Sequence, residues 1–217
     1  MSETQNETAK KYSKKKYYDD VNVGKRTKQA VYFCEQEEKP SMLELYVKRS
    51  EKKQIVVLVK SKRRADELSL YLNSKDIKVT TIHGNHRKEQ VDKVAQEFNA
   101  SEINILITTD KILQSLELKN IETIINYDLP SEHENYFASL ILVDEVGESI
   151  SFVSPDEEGY LAVIEMRLKA EIEQVELEGF EPTQNTAHKT KEKKKKPRHR
   201  KRKTRKEVKS EDKEEEE

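Results

Sequence analysis

Gln54-Ile55-Val56-Val57-Leu58-Val59-Lys60-Ser61-Lys62-Arg63-Arg64-Ala65-Asp66-Glu67-Leu68-Ser69-Leu70-Tyr71-Leu72 carries two periodicities back to back. Residues 54–59 form an unbroken apolar run of strand length, which fits a strand buried on both faces. Over residues 63–73, Ala65, Leu68, Tyr71 and Leu72 fall at helical spacing. A doubly buried strand followed at once by a helix is the repeating unit of a parallel sheet.

The couple recurs on both sides of this stretch. Residues 29–34 read as a strand, and Pro40 opens a helix through Met42, Leu43, Leu45, Tyr46 and Val47, proline being suited to a first turn. Residues 79–82 are a strand, and residues 87–98 a helix with Val91, Val94, Ala95 and Phe98 on one face. Residues 103–107 and 121–127 are strands separated by a short helix at 111–116. Ser131 is placed to cap a helix running into the 140s, residues 149–153 form the last strand, and residues 155–170 the last helix. Such alternation predicts an α/β fold, a three-layer, mostly parallel sheet with helices on both faces. Functional groups then collect at the carboxyl ends of the strands.

The ends differ in composition. Residues 1–27 are lysine-rich and poor in aliphatics, and residues 182–217 hold only Ala187 and Val208 as aliphatics. Such segments bury too little apolar surface to offset ordering entropy. Three parts are therefore expected: a disordered basic arm at 1–27, a folded domain at 28–180, and a disordered tail at 181–217, basic and then acidic. The formal net charge of −1 conceals this division. Residues 29–188 carry −12, while residues 189–209 carry +12 from 14 basic residues against Glu192 and Glu207. No run approaches the ~18–20 apolar residues of a membrane span, and Met1-Ser2-Glu3-Thr4-Gln5 has no signal-peptide core. Cys34 alone makes neither an internal disulfide nor a cysteine-rich zinc site, and a reducing, cytoplasmic setting is expected, or a nuclear or nucleolar one in a eukaryote.

The turns after the strands form an ordered set. They are Val59-Lys60-Ser61-Lys62, Ile82-His83-Gly84-Asn85, Thr108-Thr109-Asp110, and Asn126-Tyr127-Asp128-Leu129-Pro130 followed by Glu134-Asn135-Tyr136; Gly147 precedes the last strand. In this order and at these intervals, residues 29–165 resemble the second, C-terminal RecA-like domain of DEAD-box RNA helicases. The resemblance implies a RecA-like sheet of the P-loop NTPase type. It also implies RNA-backbone contacts from Lys60, Lys62, Gly84, Thr108 and Thr109, with Asn126 to Pro130 leading to an arginine-finger helix. A helix N-terminus such as the one opened by His83-Gly84 binds phosphate through unpaired N–H groups.

The parts that would make such a domain catalytic are replaced. There is no G-x-x-x-x-G-K-[ST] phosphate loop; Gly24-Lys25-Arg26-Thr27 keeps only its tail, and with some 28 residues ahead of the domain no first RecA-like domain is expected. Lys88 and Val91 stand where the family has Gln and Arg, and Gln114 and Ser115 stand where it has Arg and Gly. After Tyr136 the family reads His-Arg-x-Gly-Arg-x-Gly-Arg; this chain reads Phe137-Ala138-Ser139-Leu140-Ile141-Leu142-Val143-Asp144-Glu145, with no arginine between Arg87 and Arg167. An arginine finger is worth ~10³–10⁵ in rate. Leu140 to Glu145 mimics the magnesium-binding strand end of an ATPase, but with no phosphate loop it reads as an apolar segment ending in a polar turn. His83, His86 and His133 lack paired metal-ligand spacing.

The densest charge is Lys193, Lys194, Lys195, Lys196, Arg198, Arg200, Lys201, Arg202, Lys203, Arg205 and Lys206. Such a run binds nucleic acid by releasing phosphate counterions, and it resembles the basic tails of many DEAD-box proteins. Lys10 to Tyr18 interleaves lysine with tyrosine, a pattern that stacks on unpaired bases. The sequence therefore predicts a catalytically inactive, pseudoenzyme-like RNA-binding protein working mainly through basic tails. No cofactor or metal is expected, and no membrane partner; ATP enters only if a partner chain supplies a first RecA-like domain. Two alternatives stand: a helicase subunit completed in trans, and a protein-interaction module of a ribonucleoprotein complex.

Overall fold

The computed structural model describes residues 22–180. The basic run at 193–206, the lysine-tyrosine arm and the acidic end lie outside the described residues. The chain divides into two units, 1–186 and 187–217, and all described residues belong to the first.

The elements are β1 (Lys28–Phe33), α1 (Lys39–Arg49), β2 (Ile55–Leu58), α2 (Lys62–Ser74), β3 (Thr80–Thr81), α3 (Lys88–Asn99), β4 (Ile105–Thr108), α4 (Asp110–Leu113), β5 (Ile121–Asn126), α5 (His133–Leu142), β6 (Val143–Val153), α6 (Glu158–Leu168) and β7 (Glu173–Gln174). A helical turn over 22–26 precedes β1. It moves the start of the folded region ahead of residue 28, because Val23 packs on the apolar cluster beneath α6 and Thr27 N–H donates to Val23 O.

The seven strands form one sheet in the order β3-β4-β2-β5-β6-β1-β7, parallel at every pairing. β2 pairs with both β4 and β5, and all four of its residues are buried, as its apolar run predicts. One face is covered by α1 and α2 through Met42, Leu43, Tyr46, Leu68 and Leu72. The other is covered by α3 and α4 through Ala95, Phe98 and Leu113, and by α5 and α6 through Tyr136, Phe137, Leu140, Leu161 and Ile164. This is the three-layer RecA-like architecture.

Local signals decide several boundaries. Ser61 caps α2, its hydroxyl accepting from Arg64 N–H at 3.2 Å. Pro40 lies in the first turn of α1. Ser131 does not cap α5. Glu132 stands at that N-cap without a side-chain bond, and the helix begins only after the 126–130 loop is tied down by Leu129 N–H donating to Glu157 Oε1. β6 is longer than its apolar core. Ile121 faces Val143 and Thr123 faces Glu148, so residues 144–147 bulge out of register. Gly147 is required there: a Cβ would stand 2.5 Å from Val143 Cγ1 and 2.9 Å from Glu122 O. β7 pairs with β1 through only two residues, too short to leave a periodic trace.

Candidate nucleic-acid interface

The carboxyl ends of β2, β3, β4 and β5 lie side by side, so the turns that follow them share one edge. Lys60 and Lys62 are exposed beyond β2. Lys62 Nζ donates to Asn85 Oδ1 at 3.0 Å, which ties the start of α2 to the turn after β3. His83 is buried in that turn, its Nε2 2.9 Å from Asp66 Oδ1, and its N–H donates to His86 Nδ1 at 3.1 Å. Gly84 is exposed, and a Cβ there would meet no atom within 4 Å. Nothing inside the fold demands a glycine at 84; an open backbone is what a phosphate needs for close approach.

Thr109 is the half-buried N-cap of α4, and its side chain makes no capping bond. Thr108 departs from expectation. β4 runs through it, its carbonyl accepts Val59 N–H at 3.0 Å, and the residue is fully buried. With Thr108 buried, the foreseen residues that present surface at this edge are Lys60, Lys62, Gly84 and Thr109. The alternation of the sequence did not reveal this, because a threonine at a strand end reads alike on either side of the boundary.

Beside these groups lie carboxylates that were not foreseen. Asp128 is buried, accepts Lys60 N–H at 3.0 Å on Oδ2 and pairs with Arg64 Nη1 at 2.5 Å on Oδ1. Burial pushes the Asp110 carboxyl up to about 6, and the negative charges of Asp128 and Glu132 add to the rise. The edge thus has a basic half around β2 and β3 and a carboxylate-bearing half around β4 and β5, into which Arg64 reaches from α2 to pair with Asp128. Behind it, Lys39 is fully buried, with Nζ 2.5 Å from Glu157 Oε2 and 2.9 Å from Tyr127 O. Glu157 also accepts from Leu129 N–H and from the Ser154 hydroxyl, fixing the β5 turn to the start of α6.

The segment after Tyr136 forms α5, where Tyr136, Phe137, Ser139 and Leu140 face inward and the Ser139 hydroxyl donates to Tyr136 O. Asp144 and Glu145 lie on the β6 bulge near the amino end of that strand. That is the edge opposite the functional turns, so Leu140 to Glu145 is no magnesium-binding strand end. Among the described residues no cluster of His, Cys, Asp and Glu fits a metal ion, and no helix is long and apolar enough to cross a membrane. Cys34 is a core residue whose thiol burial pushes up to about 12.

A parallel seven-stranded sheet of this order, with these turns along one carboxyl edge, defines a helicase-type RecA-like domain. Residues 22–139 match the helicase conserved C-terminal domain, more than half of the chain, and the protein belongs to that family. It is 31% identical over 125 residues to the ATP-dependent RNA helicase eIF4A of Schizosaccharomyces pombe, covering 56% of this chain and 32% of that protein. It is 32% identical over 110 residues to the ATP-dependent RNA helicase vasa of Drosophila melanogaster, covering 49% of this chain and 17% of that protein. The chain therefore spans a third or less of these relatives. Among solved structures, a DEAD box protein from Methanococcus jannaschii superposes with a TM-score of 0.65 at 26% identity, over 70% of this chain and 43% of that one. The Escherichia coli DEAD-box protein SrmB, bound to regulator of ribonuclease activity A, gives 0.68 at 18% identity, over 73% of this chain and 95% of that one.

Proposed function

We propose that this domain is a catalytically inactive relative of the DEAD-box helicase C-terminal domain that binds RNA, mainly through its basic arms. Lys60, Lys62, Gly84 and Thr109 add weak backbone contacts at the carboxyl edge. The observation that carries the reading is α5. The resemblance places the arginines that would reach ATP phosphates after Tyr136, and in that register they fall at Ala138 and Ile141, the first half-buried and the second exposed on α5, so neutral side chains stand where the arginines would be. Asp110 and Glu132 also present negative charge next to that site, where a triphosphate would be repelled. Lysines at 193–196, 201, 203 and 206 and arginines at 198, 200, 202 and 205 supply the sequence-independent, salt-sensitive attraction that such an edge lacks.

The test is RNA and ATP binding measured on the full chain and on a chain ending at residue 188, across a salt series. The expected result is salt-dependent RNA binding that largely disappears without residues 189–217, and no ATP binding by either. RNA binding that survives the truncation undiminished refutes the role of the tail. RNA-stimulated ATP hydrolysis, alone or on mixing with a first RecA-like domain, refutes catalytic inactivity. SrmB was solved with a protein regulator bound, which favours one second reading, that the acidic domain docks a protein partner. A pull-down that survives nuclease treatment is its test.

A further inference from the structure

Helix α6 is apolar on two sides. Leu161, Ile164 and Leu168 are buried against the sheet. Tyr160, Val163 and Met166, at i, i+3 and i+6, lie on the outside with 41%, 40% and 72% of their surfaces exposed. A surface helix normally carries polar residues on its outer face, and three large apolar side chains in one row mark a covered surface.

The chain itself approaches this row. The helical turn at 22–26 lies against the last turn of α6, with the Gly24 backbone in contact with the Leu168 side chain and Val23 in the same cluster as Leu161, Ile164 and Leu168. The residues just ahead of that turn are Lys14-Lys15-Lys16-Tyr17-Tyr18-Asp19-Asp20-Val21. Tyr17, Tyr18 and Val21 provide three apolar side chains within five positions, directly behind three lysines. The row on α6, from Tyr160 to Met166, is six helical steps long, about 9 Å at the helical rise, and five residues of chain reach that far in any extended form. Length, attachment point and apolar content agree.

We propose that residues 14–21 fold back along α6, with Tyr17, Tyr18 and Val21 covering Tyr160, Val163 and Met166. The α6 row is then an intramolecular docking site, and tyrosines held there are withdrawn from stacking on nucleic acid. The docking is independent of whether the protein binds RNA.

Met166 is a built-in probe, since the remaining methionines are Met1 and the buried Met42. Sulfoxide formation at Met166 under dilute peroxide, followed by peptide mass spectrometry, is compared between the full chain and its Y17S/Y18S variant at matched circular dichroism. The expected result is a severalfold faster oxidation in the variant, with Met42 unchanged. In the converse experiment Val163→Arg accelerates tryptic cleavage after Lys16 severalfold and leaves cleavage after Lys10 unchanged. Equal Met166 rates in the two chains overturn the proposal, as does cleavage after Lys16 that ignores Val163→Arg. Protection of Met166 that grows with protein concentration and persists in Y17S/Y18S assigns the row to a second copy of the chain, and also overturns it.

Discussion

Lys39 shows how a single side chain can organise a site without touching a ligand. It is fully buried, and its ion pair with Glu157 is strengthened by the Tyr127 carbonyl and by the Leu129 and Ser154 donors to the same carboxylate. Removing one member of a buried pair leaves the other charged and unpaired. Lys39→Met should therefore lower the free energy of unfolding by about 3–5 kcal/mol, read as a shift of the urea midpoint, and K39M/E157Q should recover part of that loss. Asp110 makes the opposite kind of contribution. Its folded value of about 6 lies above the ordinary 3.8, so the folded state binds its proton more tightly than the unfolded chain does. The charged form opposes folding above pH 6; stability from this residue rises as pH falls from 6 towards 4 and levels off below. Asp110→Asn should remove that slope, and parallel stability curves for the two proteins between pH 4 and 7 would refute the assignment. Neither residue was legible in the sequence. A lysine before a proline and an aspartate in a turn look like surface residues until the sheet brings Glu157, Asp128 and Glu132 beside them.

At the scale of elements, α5 and β6 separate this domain from the helicases it resembles. α5 runs straight into β6, and its inner face is filled by Tyr136, Phe137, Ser139 and Leu140. In the family's register the arginines fall at Ala138 and Ile141, and the buried Ser139 lies between them, so an arginine at Ser139 would place a guanidinium in the core. Ser139→Arg should cost several kcal/mol of stability and produce no ATP hydrolysis; a stable, ATP-hydrolysing S139R would contradict the packing. Gly147 governs the β6 bulge. Gly147→Ala must push its Cβ against the Glu122 and Ile121 carbonyls, and a loss of about 1–3 kcal/mol in thermal or urea melts should follow. The glycine was visible in the sequence as a turn residue ahead of the strand. Its role was not, because a bulge is defined by the register of two strands far apart in the chain. The strand cores themselves were readable, since β2 is buried along its whole length as an apolar run, and β4 and β5 are mostly apolar where they are buried.

The whole molecule joins an acidic domain to strongly basic sequence. With residues 189–209 neutralising on the order of ten phosphates of a single strand, the logarithm of RNA affinity should fall with the logarithm of salt at a slope of about −7. Filter binding across a salt series measures it, and a slope near zero would remove the tail from the interaction. The sequence by itself determined the alternation of strands and helices, the order of the turns, the family, and the loss of arginines after Tyr136. Those are properties of local periodicity and residue identity. Only the tertiary structure decided that Thr108 is walled into β4, that Lys39 and Glu157 hold the edge from behind, and that Asp144 and Glu145 stand at the wrong end of the sheet. It also showed a row of apolar side chains on the outer side of α6 that no described residue covers. Burial, pairing and charge proximity depend on which distant segments meet, and nothing in the spacing of residues along one segment specifies its neighbour.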